Sequence, residues 1–252
     1  MSKIIAIHSF RGGTGKSNLT ANLAVVTALK GNRVAIVDTD LQSPGIYALF
    51  SIDETITGKT LNDYLWNRSS IADTACDVTS HLGIDRGKVF LIPSSINADE
   101  IAKILSEGYN VSLLNSGFQR LIKELELDYL FIDTHPGLSR ETLLSIAVSD
   151  LLIVILRPDR QDFQGTAVTV NIARQLQVCK MMMIINKTPS RMDFLALQQK
   201  VEKTYNVPVA GIFPLSEDMA QLGSSGLFCL QYPNHPFNQM LQQVADKASL
   251  NW

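Results

Sequence analysis

The sequence predicts an α/β fold, a doubly wound, mainly parallel sheet flanked by helices, on three observations. Short β-rich runs alternate with helical stretches, those runs are continuously apolar, and a glycine-rich turn joins the first run to the first helix. Strands covered on both faces read as unbroken apolar runs, whereas a half-solvated sheet alternates apolar with polar. The 252 residues suit a single domain, 1–252, and 46% hydrophobic residues suffice for a sizeable core.

The expected strands are Lys3–His8, Arg33–Asp38, Lys88–Pro93, Tyr129–Asp133, Leu151–Leu156, Met181–Asn186 and Val207–Phe213. A helix over Ser17–Lys30 carries Leu19, Leu23 and Val26 on one stripe and stops at Gly31. Asn97–Glu100 and Ser190–Asp193 read as helix starts, each a cap followed by a reciprocal acid. Asn67–Gly87 is the long irregular stretch, and no internal repeat or Pro/Gly/Ser linker divides the chain.

The turn after the first strand is Phe10-Arg11-Gly12-Gly13-Thr14-Gly15-Lys16-Ser17. Gly12, Gly13 and Gly15 let successive backbone N–H groups point inward as a phosphate cradle. Lys16 is placed to reach the β- and γ-phosphates, and the Ser17 hydroxyl to hold Mg2+. The anion then lies on the positive end of the following helix, with Thr14 and Asn18 completing the nucleotide-binding set. Phe10 stands where the common pattern has glycine, and the doubled Gly12-Gly13 compensates.

In a doubly wound sheet ligands bind at the carboxyl ends of the strands, where this loop lies. Two strand ends bring acids there, Asp38-Thr39-Asp40 and Asp133-Thr134-His135-Pro136-Gly137. Asp133 is placed to hold a Mg2+-bound water, and Asp38 or Asp40 to orient and polarise the water that attacks the γ-phosphate. Strand-end acids also serve as caps, but three converging on one cradle favour chemistry. Pro136-Gly137 fits a loop that responds to the γ-phosphate. His135 is read as packing or facing solvent before it is read as a donor to the reaction. Asn186 suits reading a base edge or, alternatively, the turn before Thr188-Pro189. Met181–Met183 read as core filling.

Lys and Arg number 22 against 24 Asp and Glu, a formal charge of -2, so no global basic field attracts nucleic acid or anionic membrane. Cys76, Cys179 and Cys229 are far apart and read as reduced buried thiols. The chain opens on a strand rather than a secretion signal and has no bilayer-length apolar run, so a cytoplasmic protein is expected.

With the Gly-Gly-Thr-Gly-Lys-Ser loop, the Asp-Thr-Asp strand end and the Asp-Thr-His-Pro-Gly segment in hand, the chain resembles the deviant-Walker ParA/MinD ATPases over essentially its whole length. That resemblance implies a P-loop NTPase switch that positions plasmids, chromosomes, division sites or large protein assemblies. ATP and Mg2+ close two subunits into a homodimer, and a stimulating or adaptor protein accelerates hydrolysis. It also places Asn186-Lys187 and Ile212–Asp218, including Pro214, near the base. Arg11 takes the position of the family's signature lysine, which crosses to the other subunit's phosphates. Guanidinium is always charged and can grip phosphate oxygens as a fork, though with a geometry unlike lysine's. Some relatives without that lysine distribute bacterial microcompartments, which adds a carboxysome-type cargo to the implied range.

A competing reading is a nucleotide-gated regulatory module of a polysaccharide-export or secretion apparatus, with negligible hydrolysis. A metal carrier of this fold would need paired cysteines the chain lacks, and a GTPase an acid after Asn186-Lys187. The final segment Phe237–Trp252 holds Lys247 and no arginine, and Phe237, Met240, Leu241 and Val244 suit packing, so membrane binding is not expected. Trp252 alone is a weak lipid anchor. Arg174, Lys180, Lys187, Arg191, Lys200 and Lys203 suggest weak, sequence-independent DNA binding and nucleoid association, opposed by Asp193 and Glu202.

Overall fold

In the computed structural model, which describes residues 2–52 and 58–250, the apolar runs pair into one sheet. Trp252 lies outside the described residues. The eight strands run in the order β3-β4-β2-β5-β1-β6-β7-β8. They are β1 (Lys3–His8), β2 (Arg33–Asp38), β3 (Cys76–Asp77), β4 (Lys88–Ile92), β5 (Tyr129–Asp133), β6 (Leu151–Leu156), β7 (Met181–Thr188) and β8 (Val209–Pro214). All pairings are parallel except that of β3 with β4. β3 falls inside the stretch read as irregular. It has too few residues to show a period, and it pairs Cys76 with Leu91 and Asp77 with Phe90 at the sheet edge. Pro93, which has no amide hydrogen to give the ladder, lies beyond β4, while β7 runs on through Asn186 to Thr188.

The helices are α1 (Lys16–Leu29), α2 (Leu61–Leu65), α3 (Ala98–Glu107), α4 (Ser112–Glu124), α5 (Arg140–Ala147) and α6 (Arg160–Gln175). Beyond them come α7 (Phe194–Tyr205), α8 (Glu217–Leu222), α9 (Phe228–Gln231) and α10 (Pro236–Ser249). On one face of the sheet α1 is buried nearly all round, wider than the single stripe its sequence suggests. Leu19, Leu23 and Val26 join the sheet core, while α9 and α10 cover the helix from outside with Phe228, Phe237, Leu241 and Val244. Asn22, inside this slab, is satisfied: its amide donates to the Asn18 carbonyl and its oxygen accepts the Cys229 N–H. Gly31, at φ +96°, ends the helix as expected, its N–H 2.8 Å from the Ala28 carbonyl.

The other face carries two clusters. Leu61, Leu65, Leu114, Phe118 and Leu121 of α2 and α4 cover β2, β4 and β5, and Val170, Ala173, Val201 and Tyr205 of α6 and α7 cover β6 and β7. Asn97 caps α3, accepting from the Asp99 and Glu100 amides. At the second expected start the cap is Asp193 rather than Ser190. Residues Pro189–Met192 close a turn first, and Asp193 then accepts from Ala196 N–H. Both side chains can cap, and the turn decides between them. Lys3 Nζ donates to the carbonyls of Ala248, Ser249 and Leu250, fastening the end of α10 to the start of β1. Of the cysteines only Cys229 is buried; Cys179 is exposed. No helix among the described residues is long and apolar enough to cross a membrane.

Phe10, the residue that departs from the glycine pattern, rests against α6 at Gly165. A Cβ built there would come within 2.8 Å of Phe10 Cβ and closer still to its ring. In an open helix Gly→Ala gains about 1 kcal/mol. Here overlap wins: we expect Gly165→Ala to destabilise by about 1–3 kcal/mol, the range for overpacking. Phe10→Ala in the same chain should restore most of the loss. Thermal unfolding of both chains checks this, and a Tm raised by Gly165→Ala alone would refute it.

Candidate active site

The loop after β1 holds Gly13 at φ +76° and Gly15 at φ +89°, left-handed conformations that side chains rarely adopt. α1 starts at Lys16, so its unpaired N–H groups open into a concavity lined by Gly12 to Asn18 together with Asp40, His135 and Pro136. The end of β7 props this loop from behind. Asn186 Nδ2 donates to the Thr14 carbonyl at 2.8 Å, and Lys187 Nζ to the Gly13 carbonyl at 2.8 Å. Lys187 adopts φ +54°, in a left-handed turn where β7 and β8 lose regular register. A Cβ on Gly15 would meet Asn186 Nδ2 at 2.5 Å, so this glycine is needed for close approach as well as for its φ. Beside the loop, Asn18, Asn186, Pro214, Leu215, Met219 and Phe237 wall a second, more apolar hollow.

The parallel register sets Asp38 directly beside Asp133. Asp133 Oδ1 accepts from Lys16 Nζ at 2.8 Å and from Thr20 Oγ1 at 2.9 Å, while Oδ2 is buried without a partner among the described residues. Lys16 is itself buried and lies on Asp133 instead of projecting from the loop. Asp38 has different partners. Its carboxylate accepts the Asp40 N–H at 3.0 Å, the Gly45 N–H at 3.2 Å and the Ile46 N–H at 3.4 Å, shaping the chain that follows β2. Asp40 faces the concavity, with Oδ1 held by His135 Nδ1 at 2.6 Å and Ser43 N–H at 3.1 Å. His135 is thus neither a packing residue nor free in solvent.

The side chains that could serve a magnesium ion are the Ser17 hydroxyl, at the loop, and, through water, the orphaned Asp133 oxygen. No group of three or more His, Cys, Asp or Glu side chains suited to a metal occurs among the described residues. That sparse set fits Mg2+, which keeps water and substrate phosphates as its other ligands. Arg11 is exposed and bound within its own chain: Nη1 donates to Gln161 Oε1 and lies 3.9 Å from Asp162 Oδ1. Asp162 is already gripped by Arg157 through two bonds of 3.0 Å.

Sequence reasoning missed His8 and Thr20, and it missed the carbonyl that Lys187 reaches. His8 ends an apolar strand, and its Nδ1 lies 2.9 Å from Thr134 Oγ1, which donates to the Ile7 carbonyl. Burial, helped by the Lys16 charge, pushes its pKa down to about 3, so the ring is neutral. Lys187 carried a signal, as the neighbour of Asn186, but its target carbonyl is fixed only by the sheet.

Burial, with the Asp133 charge alongside, pushes the Asp38 carboxyl up to about 7, against the pull of Lys16 and the Asp40 amide. A folded-state value above the ordinary 3.8 means that between those pH values the folded chain holds more protons than the unfolded one. This group's contribution is therefore greatest below pH about 4 and is lost as the pH rises to about 7. The Tm of Asp38→Asn relative to the unsubstituted chain should climb across that window, because the hydrogen bonds lost by the amide are a pH-independent offset. Melts of both proteins in a buffer series check it; a flat difference would contradict the shift.

Comparison with known proteins agrees with this geometry. A family model described as an AAA domain matches residues 2–187, from β1 through Lys187. An uncharacterized ATP-binding protein of Methanocaldococcus jannaschii is 27% identical over 250 residues, spanning 98% of this chain and 88% of its own. The septum site-determining protein MinD of Neisseria meningitidis is 22% identical over 246 residues, 90% of this chain and 83% of its own. Among solved structures, the cell division ATPase MinD of Pyrococcus furiosus superposes with a TM-score of 0.82 at 19% identity, over 98% of each chain. MinD of Pyrococcus horikoshii, solved with Mg-ADP, gives 0.80 at 20% identity over 99% of this chain and 96% of that one. The structures share the fold, the family model covers most of the chain, and the phosphate loop and Asp40 line one concavity: the chain belongs to the ParA/MinD family of P-loop ATPases.

Proposed function

We propose that the chain is an ATP-hydrolysing dimerisation switch that positions or partitions a cellular cargo, such as DNA, a division site or a large protein assembly. One observation carries this reading: Lys16 and Asp40 line a single cradle of backbone N–H groups, Asp133 backs it through Lys16, and a hollow walled by Pro214, Leu215 and Phe237 adjoins it. The triphosphate would lie on the amides of Gly12 to Ser17 and the positive end of α1. Asn186 spends its Nδ2 on the Thr14 carbonyl, which leaves Oδ1 to accept from the amino group of adenine; guanine offers a carbonyl there.

Ser17 and Asp133 would hold Mg2+, which when bound neutralises charge between the β- and γ-phosphates. Lys16 would exchange Asp133 for the phosphate oxygens, releasing the carboxylate to the metal's water shell. Asp40 is the acid that faces the cradle and would orient and polarise the attacking water, with Asp38 ordering the loop that carries it. Arg11 would leave Gln161 and Asp162 and act across a homodimer on the second subunit's phosphates. A stimulating or adaptor protein would set the rate.

The apolar side of α10 is used up on the core through Phe237, Leu241 and Val244, which supports a nucleic acid rather than a lipid surface as partner. Of the six cations expected to form a basic patch, Arg174 and Lys187 are turned to backbone carbonyls, so DNA binding would be weak. Fluorescence anisotropy on random duplex should show ATP-dependent binding that falls steeply with salt. Binding to anionic liposomes in its place would reverse this assignment.

The switch is tested by light scattering with ATP and Mg2+. Lys16→Ala should keep its fold by circular dichroism and lose the ATP-dependent dimer; a dimer like that of the unsubstituted chain would refute the cradle. Arg11→Ala should bind ATP as a monomer, and its hydrolysis should fall toward the order of 10³-fold that an arginine supplied across an interface contributes. Arg11→Lys with near-normal turnover would show that charge, rather than the fork, matters.

A further inference from the structure

We propose that His135 is the positioning residue that fixes the Asp40 carboxylate for hydrolysis, by tying the loop after β2 to the loop after β5. The inference rests on the ATPase reading above. A carboxylate only accepts, so the 2.6 Å contact has His135 Nδ1 donating to Asp40 Oδ1, a short, charge-assisted bond. Ser43 N–H donates to the same oxygen at 3.1 Å. With two donors on Oδ1, Oδ2 is the oxygen left for a water in the concavity that Asp40, Ser43, His135 and Pro136 line with the phosphate loop.

The ring can do this because its own backbone is fastened on both sides. The His135 carbonyl accepts from Thr142 Oγ1 at 3.0 Å, in the first turn of α5, whose Thr142 N–H is capped by Ser139 Oγ at 3.2 Å. On the other side Thr134 N–H and Oγ1 both reach the Ile7 carbonyl, at 3.3 Å and 2.9 Å. Leu41, Ile104 and Glu141 line a small cavity together with His135. Asp40 is nearly buried and His135 about one quarter exposed, so the bond is shielded from competing water. Without His135, Oδ1 keeps one backbone donor from its own loop, and the carboxylate loses its link to the segment after Asp133. Alignment of Asp40 therefore depends on the loop after β5.

The test uses the full chain with Mg2+: single-turnover ATP hydrolysis beside equilibrium binding of a fluorescent ATP analogue, for His135→Ala, His135→Leu and His135→Asn. Leu fills the ring's space without a donor; Asn places an amide N–H where Nδ1 stood. We expect Ala and Leu to slow hydrolysis on the order of 10²-fold, the scale of a misplaced reacting group. Nucleotide affinity should stay unchanged, and Asn should recover most of the rate. In an Asp40→Asn background, His135→Leu should cost nothing further. Should Ala fail to fold, Leu against Asn carries the same comparison. Unsubstituted rates in Ala and Leu, loss of affinity matching the loss of rate, or no recovery by Asn would each overturn the role of His135. An unsubstituted chain that binds ATP and never hydrolyses it would instead bring down the ATPase reading and this inference with it.

Discussion

Two carboxylates ending adjacent strands, with one ammonium between them and the phosphate loop, are the constraint around which the rest is arranged. Asp38 and Asp133 face the same interior in register, and burying both charges is tolerable only if each finds separate compensation. Asp133 finds it in Lys16 and Thr20, side chains of α1. Asp38 finds it in three amides of the chain that follows β2. The helix is thereby drawn onto β5 at its first turn, and the loop after β2 is bent back over its own strand. Both effects deliver groups to the concavity, the first by opening the helix end there and the second by presenting Asp40.

This arrangement also means that Lys16 has two partners to choose from. It answers Asp133 in a close and buried pair. Under the proposed function, phosphate oxygens at the loop would draw Lys16 to them, leaving Asp133 Oδ1 with Thr20 and Oδ2 with no partner among the described residues, a state suited to a hydrated cation. A single lysine would thus link arrival of the anion to readiness of the metal position.

Most of the architecture was legible because it rests on local signals. Seven strands announced themselves as apolar runs, the cradle by glycines between strand and helix, and the strand-end acids by position alone. Where the signal was non-local it was lost. Asp38 and Asp40 are two residues apart and chemically identical, and only the folding-back of Gly45 and Ile46 onto Asp38 separates a shaping role from one that faces the ligand. Ser190 read as a cap with Asp193 as its reciprocal acid, and the turn at Pro189 instead puts Asp193 in the capping place. His135 read as incidental because its partner lies 95 residues earlier in the chain, and Phe10 read as a blemish in a motif because its complement is a glycine on a distant helix.

The fastening of α10 by Lys3 has a geometric meaning for the whole molecule. Lys3 opens β1 and the phosphate loop closes it, so the two lie at opposite rims of the sheet, roughly 17–20 Å apart at the rise of a strand. α10 is accordingly fastened at the rim away from the phosphate loop, so this tie acts at the end of the sheet opposite the one that carries Arg11, the cradle and the two acidic loops.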